Sequence, residues 1–124
     1  EEKGLGHRVI FAGVRQDVNK LYSAMDVFCL PSHYEGFALV AVEAQASGLP
    51  CICSNQVSGE IDLSTRVTHI PTEPGDIPAW IAQIRQIGLD PERKMPTFAE
   101  NFSIACAAGQ YQAYIKENYE KALR

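Results

Sequence analysis

Two stretches of this chain, DVFCL ending at Leu30 and PCICS ending at Ser54, are apolar without alternation, and the segment between them closes on Gly48-Leu49-Pro50. A strand with one wet face alternates apolar and polar residues, so runs like these read as strands covered on both faces. The stretch FALVAVEAQAS that separates them is long enough for a helix and is apolar almost all round. Strand, helix and strand in that order imply a right-handed crossover between parallel neighbours.

The same pattern extends along the chain. RVIFAG, ending at Gly13, is a third apolar run, and RVTHIP is a weaker fourth. Asp17 is placed to cap a helix that puts Val18, Leu21, Tyr22 and Met25 on one face. Asp76 is placed to cap another with Ile77, Trp80, Ile81 and Ile84 together, ended by Gly88. After the polar connector LDPERKMPT, Ser103 could cap a terminal helix over residues 97–124, with Ile104, Ala108, Tyr111 and Ile115 as its stripe. The expected fold class is α/β: one domain of 124 residues, a parallel sheet with helices on both faces in three αβα layers.

Composition narrows the function. At 46% hydrophobic and 21% charged, the chain suits a single globular core. A formal net charge of −4 without clustered Lys or Arg argues against nucleic acid as a partner. No apolar run approaches the ~20 residues of a membrane span, and EEKGLGHR lacks a signal-peptide pattern, so the expected location is cytoplasmic. The four cysteines and three histidines lack zinc-ligand spacing, and no metal is expected. The cysteines read as small buried hydrophobes. His33, with no paired acid, reads as an exposed loop residue, and Ser58-Gly59-Glu60 as a turn or a pocket lining.

In doubly wound folds ligands bind beyond the carboxyl ends of the strands, and the loop PSHYEG leaves DVFCL at that end and enters a helix amino terminus. Unpaired N–H groups and the positive end of the helix dipole suit a phosphate there, and Gly36 lets the backbone approach it. Two carboxylates flank the address. Glu35 precedes the helix and should project over the pocket. Glu43 follows eight residues later, about 80° round and ~12 Å along if both were helical. Its apolar neighbours Val40, Ala41, Val42 and Ala44 place it nearest the sheet, where it needs a partner, water or a ligand rich in hydroxyl donors; the alternative is a helix face open to solvent.

The stretch DVFCLPSHYEGFALVAVEAQASGLPCICS resembles the donor-binding half of the family 4 retaining glycosyltransferases, which have the GT-B fold of two facing Rossmann-like domains. The E-x7-E pair of that family matches Glu35 and Glu43, set within Pro-Ser, Glu-Gly-Phe, Glu-Ala and Gly-x-Pro. RVIFAGVRQDVNKLYSAMD before it and VSGEIDL after it extend the resemblance, and VSGEIDL is similar to members that build exopolysaccharide, capsule and lipopolysaccharide.

The resemblance implies a role for each matching residue. Glu43 would accept hydrogen bonds from the ribose of a nucleotide sugar, expected to be UDP-linked, and Glu35 would hold a hydroxyl of the donor sugar at the catalytic centre. The backbone of Gly36, Phe37, Ala38 and Leu39 would meet the diphosphate, and Val14 and Arg15 would lie against the base. No cofactor and no metal would be needed.

Departures from the pattern also carry expectations. Family members clamp the diphosphate with an Arg and a Lys from an upstream segment, a motif that Lys3 and Arg8 do not match. The resemblance therefore implies a truncated carboxy-terminal domain whose parent enzyme, peripheral on the inner face of the membrane, takes a glycan or lipid-linked acceptor through an absent amino-terminal domain. It also implies that two strands are lacking between RVIFAG and DVFCL. Those two would then pair directly, or a second copy would fill the gap in a homodimer. A non-catalytic nucleotide-binding module and a flavodoxin-like receiver share the architecture, but the receiver requires an acidic cluster after its first strand that VIFAGVRQD does not offer.

Overall fold

Three parallel strands in chain order form the sheet in the computed structural model, which describes residues 4–88. They are β1 (Phe28–Leu30), β2 (Cys51–Ser54) and β3 (Val67–Ile70). β1 pairs with β2 from Phe28 opposite Cys51 to Leu30 opposite Cys53, and β2 with β3 from Cys51 opposite Val67 to Ser54 opposite Ile70. Helix α1 (Val18–Ala24) precedes the sheet, α2 (Leu39–Ala46) connects β1 to β2, and α3 (Ile77–Ile87) follows β3. The expected strands at DVFCL, PCICS and RVTHIP and the expected helix ends near Asp17, Asp76 and Gly88 are thus realised.

β2 has a neighbour on each side and cover on both faces, and all four of its residues are buried. Cys51 and Cys53 belong to the core cluster with Tyr22, Ala41, Val42, Ala44, Leu49 and Ile61, on the α2 side. Strand alternation turns Ile52 to the other face. There α3 lies along β3, with Gln83 Nε2 donating to Thr68 Oγ1 at 3.2 Å and Trp80 Nε1 to the Pro71 carbonyl at 2.8 Å. This is the three-layer α/β arrangement expected. Burial pushes the Cys51 thiol up to about 12 and the Cys53 thiol up to about 11, so both are neutral packing groups.

The Gly-Leu-Pro stop works through backbone geometry. Gly48 has φ +76°, a left-handed conformation that glycine adopts without strain. Its N–H donates to the Gln45 carbonyl at 2.8 Å, and Leu49 N–H donates to the Ala44 carbonyl at 3.0 Å. Those two bonds form a Schellman motif that ends α2 and aims the chain into β2.

Several expectations are corrected. RVIFAG is not a strand: residues 8–13 lie outside every strand, and Ile10 and Phe11 are 90% and 95% exposed. Strands have no internal hydrogen bonds, and among the described residues this run has no ladder partner and β1 pairs with β2 alone. Asp17 stands at the start of α1, but its side chain caps nothing, because Arg15 holds the carboxylate. The apolar stripe of α3 is not deeply buried, since Ile77, Ile81 and Ile84 remain exposed. The terminal helix expected over residues 97–124, with Ser103 and Tyr111, lies outside the described residues, as does Cys106.

Candidate functional site

The loop after β1, helix α2 and the segment before α1 carry the residues singled out from sequence. Glu35 is half-buried and makes an isolated parallel bridge with Val57, which stitches the loop after β1 to the loop after β2 at the carboxyl end of the sheet. Gly36 and Phe37 follow on the exposed surface, Ala38 is buried as the N-cap of α2, and Leu39 is its first residue. A Cβ on Gly36 would meet nothing within 4 Å, so no packing among the described residues requires glycine there. Leu39 N–H turns back to the Phe37 carbonyl at 3.0 Å, which engages one of the four backbone donors expected to face a diphosphate.

Glu43 is exposed rather than nearest the sheet. The face of α2 against the sheet consists of Ala41, Val42, Ala44 and Gln45, three of them small or β-branched residues that let the helix approach closely. Glu43 lies between that face and solvent, and Tyr22 of α1 donates its hydroxyl proton to Glu43 Oε2 at 3.0 Å. Of the two alternatives, the helix face open to solvent is the one realised, and the carboxylate there has a phenol partner. Tyr22 also lies 3.3 Å from the Val40 carbonyl. Burial, then the hydrogen bond to Glu43, pushes the Tyr22 phenol up to about 12, so it remains a donor at neutral pH.

Glu43 and Tyr22 form one wall of a cleft of ≈ 400 Å³ between α1 and α2, also lined by Gln16, Asn19 and Ser47. The cleft therefore joins Glu43 to the start of α1, directly after Val14 and Arg15. Val14 is fully exposed, and Arg15 forms a bidentate pair with Asp17, Nε to Oδ1 and Nη2 to Oδ2, both at 2.8 Å. That hydrogen-bonded cation holds the Asp17 carboxyl below its usual range. Glu35 does not line this cleft; it sits on the strand-end loop that leads into the other end of α2.

Behind the strand-end loop lies a polar lock with no counterpart in the sequence reading. Gln45 is buried on α2 and donates Nε2 to the carbonyls of Ala41 at 3.1 Å and Ile61 at 2.7 Å. Its Oε1 accepts from Leu63 N–H, Ser64 N–H and the Ser64 hydroxyl. A second tie joins His69 Nε2 to Asp62 Oδ1 at 2.9 Å and His69 Nδ1 to the Ser54 carbonyl at 3.1 Å. Both ties hold the β2–β3 connection, whose Val57 backs Glu35. Sequence offered one signal for the missed residues: a Tyr on an apolar stripe must still place its hydroxyl.

Three parallel strands with helices on both faces define the class of Rossmann-like α/β domains. The particular family follows from comparison with known proteins. The family model described as "Glycosyl transferases group 1" matches residues 1–90, and the chain belongs to that family. It is 48% identical over 110 residues to EpsF of Bacillus subtilis (strain 168), a protein named as a glycosyltransferase, covering 88% of this chain and 24% of that one. It is 46% identical over 89 residues to the UDP-Gal:alpha-D-GlcNAc-diphosphoundecaprenol alpha-1,3-galactosyltransferase of Escherichia coli, covering 72% and 23%. Against the D-inositol 3-phosphate glycosyltransferase of Corynebacterium kroppenstedtii it is 30% identical over 115 residues, covering 88% and 25%. The chain spans about a quarter of the length of these curated relatives. No solved structure matches it. Among the described residues, no helix is long and apolar enough to cross a membrane.

Proposed function

We propose that this chain is the donor-binding half of a retaining glycosyltransferase that takes a UDP-sugar and transfers its hexose in bacterial surface-polysaccharide synthesis. The observation that carries the reading is Glu43, an exposed carboxylate hydrogen-bonded at the wall of a cleft that extends to Gln16, the residue after Arg15. Its free lone pairs accept the ribose hydroxyls, and the loop at Val14 and Arg15 lies against the base. The backbone of Gly36, Phe37 and Ala38 leads the diphosphate toward the start of α2, with Leu39 closing the turn. Glu35, at the strand-end loop, receives a hydroxyl of the donor sugar.

The chemistry is consistent with that arrangement. Sugar transfer from a nucleoside diphosphate builds negative charge on the departing phosphate while the anomeric carbon becomes cation-like. A helix amino terminus stabilises the first charge without proton transfer and without a metal. The Escherichia coli relative supports UDP as the carrier, because its name specifies UDP-Gal, and supports a lipid-linked acceptor, because its name specifies a diphosphoundecaprenol. By that reading the acceptor docks on a second domain and the enzyme works at the cytoplasmic face of the membrane.

The test is a titration of the intact gene product with UDP and with UMP, read by amide chemical shifts. Shifts at residues 14–19 and 35–43 that weaken in Glu43→Gln are expected. Shifts confined to other surfaces would overturn the reading.

A further inference from the structure

We infer that Tyr22 is the positioning residue of the donor site, holding the Glu43 carboxylate in the orientation that receives the ribose diol. The inference rests on the donor-site reading above and adds a residue to it.

An exposed glutamate on a helix samples several rotamers, and ordering it on ligand binding opposes affinity. Glu43 is relieved of that by a rigid neighbour. The Tyr22 residue is 4% exposed, and its ring lies edge-on to Phe28 with centroids 6.0 Å apart and planes at 73°. Two rotatable bonds are thereby fixed by packing, and the hydroxyl is delivered to Glu43 Oε2 at 3.0 Å. Among the described residues no hydrogen bond reaches Oε1, so the carboxylate presents that oxygen and the remaining lone pair of Oε2 to the cleft. A diol with two donors on adjacent carbons is the complementary ligand.

The arrangement is selective as well as rigid. The Tyr22 proton faces two acceptors, Glu43 Oε2 and the Val40 carbonyl, and the charged one is nearer. Val40 lies in the first turn of α2, so the same phenol that orients the carboxylate also ties the backbone of that turn to α1.

A double-mutant cycle in the intact gene product tests this, with UDP affinity measured by calorimetry and donor KM and kcat by transfer assay. Tyr22→Phe keeps the ring and removes the hydroxyl. It is expected to weaken UDP binding about three- to tenfold and to raise KM while kcat stays within about twofold. The same substitution in a Glu43→Ala background is expected to change nothing further. Glu43→Asp draws the carboxylate back from the phenol, and it is expected to reproduce the loss and to be insensitive to Tyr22→Phe, which keeps the test available if one variant folds poorly. An equal loss from Tyr22→Phe in the Glu43→Ala background, or no loss from Tyr22→Phe while Glu43→Ala weakens binding, overturns the positioning role alone. Unchanged affinity in Glu43→Ala overturns the donor-site reading and this inference with it.

Discussion

The side-chain oxygen of Gln45 receives both the backbone N–H of Ser64, at 3.0 Å, and the Ser64 hydroxyl, at 3.1 Å. Through this bond and those to Ile61 and Leu63, the helix that carries Glu43 also fixes the connection that backs Glu35. One buried amide thus relates the two halves of the candidate site.

Gln45→Leu fills the same space but leaves the Ser64 N–H without its partner, while the Leu63 N–H and the Ile61 carbonyl keep their bond to each other at 2.9 Å. An orphaned group of this kind costs ~1–3 kcal/mol, less where water reaches it, so a loss of about 1–3 kcal/mol is expected. Chemical denaturation measures it. Hydrogen exchange at Leu63 and Ser64 should accelerate more than exchange in β2, and uniform acceleration would show that the lock is not local.

Stability should also depend on His69. Both of its ring nitrogens face atoms that only accept, the Ser54 carbonyl and the Asp62 carboxylate, so the imidazolium satisfies both contacts and the neutral ring only one. Burial lowers the His69 pKa, but the hydrogen bonds to Asp62 and Ser54 outweigh it and leave the pKa raised above 6.5. A raised folded-state value means that the stabilisation is complete below the unfolded pKa and is lost as pH rises through the folded one. The unfolding midpoint of wild type should therefore fall relative to His69→Gln as pH increases across that interval. Parallel pH profiles for the two proteins would contradict the assignment.

Gly36 separates fold from function. With open space where a Cβ would stand and no positive φ, Gly36→Ala should change stability by no more than about 0.5 kcal/mol. A methyl group there crowds a diphosphate brought against the backbone, so UDP affinity should drop severalfold while UMP affinity changes less. Thermal unfolding and calorimetry on the same sample check both halves, and equal effects on UDP and UMP would argue against a diphosphate contact.

The sheet was legible in the sequence because its signals are local. Non-alternating apolar runs mark β1 and β2, Gly48 marks the end of α2, and Asp76 and Gly88 bracket α3. RVIFAG shows where that logic stops. Its composition is that of a strand, but pairing depends on a neighbour that composition does not specify, and the run lies exposed.

The placement of Glu43 was left open between sheet and solvent for a related reason. A helix that is apolar almost all round conceals which face is buried, and the informative residues were the small Ala41 and Ala44 beside Gln45. Partners 16 to 19 positions away, as for Gln45, or 21 away, as for Tyr22 and Glu43, leave no trace in local spacing. The polar ties of the candidate site belong to tertiary structure and were not readable before it.

Ribose recognition by Glu43 is tested most directly by comparing UDP with 2′-deoxy-UDP binding to the intact gene product and to its Glu43→Ala variant. Removing one hydroxyl from a carboxylate-bound diol should weaken wild-type binding by about tenfold, equivalent to roughly 1.4 kcal/mol. In Glu43→Ala the two nucleotides should bind alike. Equal affinity of wild type for both, or the same discrimination in wild type and variant, would contradict ribose recognition by Glu43.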